Sequence, residues 1–339
     1  MQRTLDVGSF SSVVSMLDRD RLYDGLDGEA FCIADSNTKQ HVTGNLPLLT
    51  LPNGEEAKSW DHLHEILETL LGAGLSRSAT IVGIGGGAVT DVAACAGSLF
   101  LRGCRVVLVP TSLLAMVDAA IGGKTGINFG GFKNMVGTFY PAHEVRICTD
   151  VLKTLPDREY KSGLAEVIKS ALLGDPALVE TLETRRDEIL SRDTTVIRDA
   201  VWACVNVKSD VVEQDLRESG VRAHLNLGHT FGHALEAVAG LGAYSHGEAV
   251  AWGLAQAMQI GVRIGVTDAE YARRVMHLLN GYGYRLEPIP ELADQIRSAM
   301  NKDKKRKGSE VLFVLQRRLE ETVVTAVDEA VLTALLRGR

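Results

Sequence analysis

The sequence has few cysteines, no long apolar run and no surplus of positive charge, and each lack excludes a class of protein. Its five cysteines, Cys32, Cys95, Cys104, Cys148 and Cys204, are scattered, odd in number and never spaced C-x-x-C. A disulfide framework and a thiolate metal site are therefore not expected; buried thiols in a reducing cytoplasm are. No uninterrupted apolar stretch approaches the ~20 residues that a membrane helix needs. The opening "MQRTLDVGSFSSVVSMLDRDRL" has no charged leader followed by an apolar core, so no secretory signal is expected. The formal net charge is −7, so the whole-protein field draws neither nucleic acid nor an anionic membrane. An anionic small molecule would have to be held by a local cluster of cations. Internal repeats and low-complexity segments are also missing. These exclusions lead to a soluble, cytoplasmic protein.

With 339 residues, the chain is long enough for two domains. Its first 150 residues alternate β-branched runs with helical ones. "EAFCIAD" (29–35), "PLLTLP" (47–52), "ATIVGIGGG" (79–87) and "CRVVLVPTS" (104–112) have the pattern of strands ended by turn or polar residues. "WDHLHEILETLLGAG" (60–74) carries apolar residues at helical spacing and ends in glycine. Strands alternating with helices predict a parallel, Rossmann-like sheet in an α/β domain over 1–150. Beyond residue 150 the 3.6-residue period dominates, which predicts a mainly α-helical domain over 151–339. A late hairpin, "EVLFVLQRR" with "ETVVTAVD", precedes a terminal helix, and the charge run "NKDKKRK" (301–307) reads as a solvated loop.

Four segments carry chemistry. "GIGGGAVTD" (83–91) is a glycine-rich strand-to-helix turn whose backbone N–H groups suit a pyrophosphate at a helix N-terminus; a plain tight turn is the other reading. "VDAAIGGKTGINFGGFKNMVG" (117–137) sets Lys124 and Lys133 with Asn128 and Asn134 among glycines, as a phosphate site or as a flexible surface loop with solvated lysines, though Ile127, Met135 and Val136 point to packing. "SGLAEVIKSALLG" (162–174) puts Glu166 and Lys169 on one helix face, a spacing usual for an ordinary ion pair. "LNLGHTFGHALEAVAGLGAYSHGEAVAWG" (225–253) places His229, His233 and His246 in an apolar run. The i, i+4 spacing of His229 and His233 suits joint ligation of one metal, with Glu248 or Glu236 as the carboxylate. A His/carboxylate donor set suits zinc.

The blocks "PNGEEAKS", "GGGAVTD", "RGCRVVLVPTSLLAMVDAAIGGKTGIN", "KNMVGTFY", "LKTLPDREYKSGLAEVIK" and "NLGHTFGHALE…HGEAVAWG" resemble the 3-dehydroquinate synthases, a branch of the sugar phosphate cyclases. The resemblance runs in order from about residue 50 to "DKK" at 303–305. It implies a dehydroquinate synthase-like fold and a homodimer. It implies conversion of 3-deoxy-D-arabino-heptulosonate 7-phosphate to 3-dehydroquinate and phosphate, through transient NAD oxidation, β-elimination, reduction, ring opening and an intramolecular aldol step. On this resemblance Glu166, His229 and His246 hold Zn²⁺, with Co²⁺ as a substitute, and His233 becomes an acid/base group instead of a ligand. NAD would meet Glu55, Lys58, Gly86, Gly87, Asp91, Thr111, Ser112, Lys133 and Thr154. The substrate phosphate would meet Lys124, Asn134 and Lys304, with Arg102 reaching across a dimer. Lys208 and Arg222 would take the carboxylate, while Asp118, Lys169, Glu218 and Asn226 complete the catalytic shell.

Three positions depart from the family pattern. Phe132 precedes Lys133-Asn134 where glycine is usual, Thr90 replaces a glycine in the nucleotide turn, and Ser112 replaces a threonine. Phe132, the bulkiest of these, is expected to narrow a ligand pocket. Two other activities use related folds: a glycerol- or polyol-type NAD-dependent dehydrogenase and a sibling cyclase. The cation set Lys124, Lys169, Lys208, Arg222 and Lys304 exceeds what a neutral polyol requires.

Overall fold

A computed structural model describes residues 1–339 except 9, 27, 241, 303–305, 308 and 309, and except the side chains at 302, 306, 307 and 310. Lys304 and the middle of the charge run at 301–307 lie outside the described residues. The chain packs as two compact units, Met1–Pro156 with Ile197–Arg217, and Asp157–Val196 with Glu218–Arg339.

The first unit is built on a seven-stranded sheet. Its strands are β1 (Gln2–Val7), β2 (Phe10–Met16), β3 (Ala30–Asp35), β4 (Leu48–Leu51), β5 (Thr80–Gly85), β6 (Arg105–Pro110) and, after a separate hairpin β7 (Ile127–Phe129) and β8 (Phe132–Val136), β9 (Glu144–Ile147). The spatial order is β1-β2-β9-β6-β5-β3-β4, and every pair except β1/β2 is parallel. Central β5 pairs Gly83 with Ile33 on one side and with Leu108 on the other. Buried on both faces, it reads as the continuous apolar run expected of a parallel core strand.

Helix α1 (Trp60–Gly72) starts where the Ser59 hydroxyl accepts from His62 N, and it buries Leu63, Ile66 and Leu70. Helix α2 (Gly87–Leu99) follows β5 directly and lies close on the sheet. A Cβ at Gly97 would fall 2.3 Å from Val106, and one at Gly83 2.7 Å from Ala93, so glycine sets that distance. Leu63, Ile66, Leu70 and Ala93 join Ile33, Leu51, Ile81, Val89 and Val92 in one core. Each large aliphatic so buried contributes about 1.5–3 kcal/mol.

The chain runs outward from β3 to β4, then returns to the other side of β3 with β5. That reversal is the topological switch point, where parallel sheets leave a crevice at the strands' carboxyl ends.

The second unit is mainly helical. Its elements are α3 (Asp157–Gly174), α4 (Pro176–Thr184), α5 (Arg186–Leu190), the start of α6 (Thr194–Gln214), α7 (His229–Ala239), α8 (His246–Arg263), α9 (Ala269–Gly281), α10 (Ala293–Lys302), the strands β10 (Arg306–Lys307), β11 (Glu310–Gln316) and β12 (Thr322–Ala326), and α11 (Glu329–Leu336). From Ile197 onward α6 belongs to the first unit. Helix α8 is central: α3, α7, α9, α11 and β11 all pack on it, and it is apolar around nearly its whole circumference. Trp252 and Phe231 share its core with Ile260, Ile296, Phe313 and Leu335. The β11–β12 hairpin and terminal helix form as the sequence predicts. All five cysteines are buried, with no disulfide among the described residues. No described helix is long and apolar enough to cross a membrane.

Candidate active site

In the first unit, the glycine turn between β5 and α2 sits at the switch point. Gly86 caps α2 without a side-chain bond, so the helix's first amides are left to an incoming acceptor. The Thr90 hydroxyl folds back on the Gly87 carbonyl at 3.0 Å and does not reach outward. Thr111 N donates to the Gly85 carbonyl at 2.9 Å, fixing Thr111 and Ser112 beside the turn.

Facing it, at the end of β3, is a residue that pattern reading passed over. Asp35 Oδ1 accepts from Asn37 N, Thr38 N and the Thr38 hydroxyl, and that hydroxyl also donates to the Ile84 carbonyl at 2.9 Å. The signal was present in "CIADSN": an acid closing a buried strand next to a glycine turn.

Several predicted residues meet in one polar network. Buried Lys58 donates to Asp91 Oδ2 at 2.6 Å and to Asn134 Oδ1. Asn134 N donates to Asn128 Oδ1, and Asn128 Nδ2 to Glu55 Oε2 at 2.8 Å. Burial pushes the Asp91 carboxyl up, and the Lys58 ammonium offsets only part of that rise.

The segment over 127–136 is a β-hairpin and not an irregular surface loop. Gly130 and Gly131, with φ of 61° and 81°, make the two-residue turn between Phe129 and Phe132. Phe132, expected to narrow a pocket, lies at the hairpin tip and is 68% exposed. Lys124, Lys133 and Thr154 are exposed as well. Leu101 and Arg102 both adopt left-handed backbone, φ 48° and 66°, which is costly for side chains with a Cβ. Arg77 holds this turn by donating from Nε and Nη2 to the Leu101 carbonyl at 3.1 and 2.9 Å, leaving Arg102 exposed.

Lys208, buried on α6, donates to Asp118 Oδ1 at 2.6 Å and to the Asp118 carbonyl. Asp118 stands in a π-helical turn, Ala115–Ala119.

In the second unit, three helices converge. On α3, Glu166 is fully buried with Lys169 beside it, Nζ to Oε2 2.5 Å. His229 and His246 open α7 and α8, and their Nε2 atoms lie 3.5 and 3.3 Å from the same Glu166 oxygen, Oε1. Glycine makes the convergence physical. A Cβ at Gly247 would fall 2.0 Å from the Ser162 carbonyl on α3, and one at Gly253 2.1 Å from the Gly228 carbonyl. A Cβ at Gly232 would lie 3.0 Å from the Ala249 carbonyl, a looser but still close approach. A capping box, Ser245 with Glu248, fixes the start of α8 and thus the place of His246.

The electrostatics of this group are lopsided. Burial raises the Glu166 carboxyl, but the Lys169 ammonium and the two imidazoles outweigh it and hold it well below the usual carboxylate range. Burial, with Lys169, holds His229 well below the ordinary histidine value, so its ring is neutral. Burial also works against charge on His246, yet Glu166 and Glu236 push it up to about 10.

Neither Glu166 oxygen accepts a well-aligned hydrogen bond, although the residue is wholly buried. The Leu227 carbonyl accepts from His229 Nδ1 at 3.2 Å, which turns an unprotonated Nε2 toward Glu166. A buried carboxylate faced by two imidazole nitrogens fits a divalent cation, and the donor atoms lie within 4.8 Å of one another.

His233 is exposed one turn beyond His229, with ring centroids 5.1 Å apart. Among the described residues no group of three metal-competent side chains contains both His229 and His233, so the geometry favours His246 over His233 as the partner of His229. Nor does Glu248 serve it, being spent on the Ser245 cap. Elsewhere in the unit, Arg222 is buried, and Asn226 Nδ2 donates to Glu218 Oε1, with Glu218 in left-handed backbone at φ 57°.

Comparison with known proteins agrees with this architecture. Residues 48–162 match the 3-dehydroquinate synthase N-terminal model and residues 163–306 the 3-dehydroquinate synthase C-terminal model. The chain belongs to the 3-dehydroquinate synthase family. A family member from Acidithiobacillus ferrooxidans is 42% identical over 292 residues, covering 86% of this chain and 80% of that protein. Another, from Geobacter metallireducens, is 41% identical over 314 residues, covering 92% and 85%. Among solved structures, 2-epi-5-epi-valiolone synthase from Streptomyces hygroscopicus, with NAD⁺ and Zn²⁺ bound, superposes with a TM-score of 0.86 at 25% identity over 98% of each chain.

Proposed function

We propose that this chain is a lyase converting 3-deoxy-D-arabino-heptulosonate 7-phosphate to 3-dehydroquinate and phosphate. The observation that carries the reading is the buried convergence of Glu166, His229 and His246 beside Lys169. When bound, a divalent cation, zinc in this reading with cobalt as a substitute, polarises substrate oxygens, and NAD takes a hydride and returns it within one turnover.

The first unit supplies nucleotide and phosphate groups. Gly86 and Gly87 with the α2 N-terminus receive the pyrophosphate, and Glu55, Lys58, Asp91, Thr111, Ser112, Lys133 and Thr154 complete the NAD contacts. Lys124, Asn134 and Lys304 hold the substrate phosphate, joined by Arg102 across a homodimer. The exposed, strained turn at Leu101-Arg102 supports that role for Arg102. Lys208 meets the substrate carboxylate while Asp118 orients its ammonium.

The second unit supplies the rest. Arg222 pairs with the carboxylate, and Lys169, Glu218 and Asn226 orient hydroxyls. His233 moves a proton at its exposed imidazole. Phosphate leaves by β-elimination, with its own oxygen taking the proton. A cytoplasmic setting suits the five buried thiols.

The test is phosphate release from the heptulosonate phosphate, with NAD⁺ and Zn²⁺, before and after chelation. The expected result is chelator-sensitive release with dehydroquinate formed and no net NADH. Net NADH on a polyol panel, without phosphate release, would move the protein to the dehydrogenases of this fold.

A further inference from the structure

His229 and His246 solve the same problem in two ways. An imidazole that lends one nitrogen to a cation carries its proton on the other, and that N–H needs an acceptor. For His229 the acceptor is the Leu227 carbonyl, a backbone group fixed by the entry into α7. For His246 it is a side chain: Glu236 Oε2, on α7, lies 3.2 Å from Nδ1, while Nε2 faces Glu166. His246 also needs more help, since its side chain is 28% exposed against 10% for His229. Packing fixes the ring less, so the hydrogen bond must fix it more.

We infer that Glu236 is a positioning residue for the cation site, accepting the Nδ1 proton of His246 and thereby setting its tautomer and ring plane. The inference rests on the metal reading above. A different role is geometrically open to Glu236, since its carboxylate, His233 and the Nδ1 of His246 also lie within 4.8 Å of one another. The burial of the two acids decides between them. Glu166 is wholly buried and its Oε1 faces both imidazoles without an aligned hydrogen bond, as a ligand would; the Glu236 side chain is 17% exposed and reaches water.

The experiment is titration of metal-stripped full-length protein with Co²⁺, read by the visible d–d spectrum, and Zn²⁺ competition against a chelating indicator. Wild type, Glu236→Ala and Glu236→Gln are compared, with far-UV circular dichroism as the folding control. Wild type is expected to bind one equivalent. Glu236→Ala should bind one equivalent about 10–100-fold more weakly, with an altered cobalt spectrum. Glu236→Gln, whose amide oxygen still accepts from Nδ1, should recover much of the affinity and the wild-type spectrum.

Wild-type affinity and spectrum in Glu236→Ala would overturn the inference while leaving the metal reading intact. Two equivalents in wild type, the second lost in Glu236→Ala, would make Glu236 a ligand instead. No stoichiometric metal in wild type would overturn both readings.

Discussion

The two units assemble their polar sites by opposite means. In the first, the nucleotide turn, the switch point and the Lys58–Asp91 pair derive from short stretches of chain laid along the ends of parallel strands. In the second, the key groups come from α3, α7 and α8, and Glu166 is more than 60 residues from His229. What joins them is the absence of side chains at Gly232, Gly247 and Gly253. A site built on strand ends follows from local pattern; a site built on helix crossings depends on which positions are empty.

The comparison breaks most completely at Glu166. Glu166→Ala removes the carboxylate that faces Lys169 Nζ at 2.5 Å and so breaks a buried ion pair, a loss of about 3–5 kcal/mol. Metal content by elemental analysis should fall to background together with turnover. His233→Ala should retain metal and lose about 10²–10⁴ in kcat, as expected of a lost acid/base group. Metal loss in that variant would restore joint ligation by His229 and His233.

A paired glycine test addresses the units directly. Gly247→Ala and Gly97→Ala each insert a methyl where none fits and should each cost about 1–3 kcal/mol by thermal unfolding. Only Gly247→Ala should weaken metal binding. Equal metal loss in both would show that the cation site responds to general destabilisation and not to helix spacing.

A smaller effect concerns pH. With His246 pushed up to about 10, the metal-free protein carries a proton there that an incoming cation must displace. His229 is already neutral and Glu166 already ionised near neutrality, so they add nothing. Metal affinity should therefore tighten about tenfold per pH unit between about 7 and 10, with one proton released, measured by calorimetry in two buffers. Affinity flat across that range would contradict the charge assigned to His246. The smallest effect is expected at Phe132. Phe132→Ala, at an exposed hairpin tip, should change stability and kcat/KM by no more than about 0.5 kcal/mol.

Strands β3, β5 and β6 were legible as short apolar runs ended by polar or turn residues, and helix α1 from its 3.6-residue period. Strands β1, β2 and β9 were not, since their pairing is set by partners far along the chain. The β7–β8 turn was written openly as "FGGF", but the lysines and asparagines around it drew the reading toward a loop. At the candidate metal group, residue types pointed to histidines, while spacing paired His229 with His233 where the structure brings His229 and His246 to one Glu166 oxygen. The i, i+4 rule knows one helix; the second imidazole arrives from another. Asp35 and the contact of Glu236 with His246 were missed because neither has meaning until its neighbour is known.

The glycines at the helix crossings also bear on how such an enzyme could change. Any side chain at 232, 247 or 253 meets backbone, so the ligand group has almost no room for gradual variation. Descendants that keep the cation inherit this framework whole. New substrate preferences would have to arise on surfaces with space to vary, and the exposed hairpin tip carrying Phe132 is such a surface. The departure from the family pattern at 132 stands at such an exposed position.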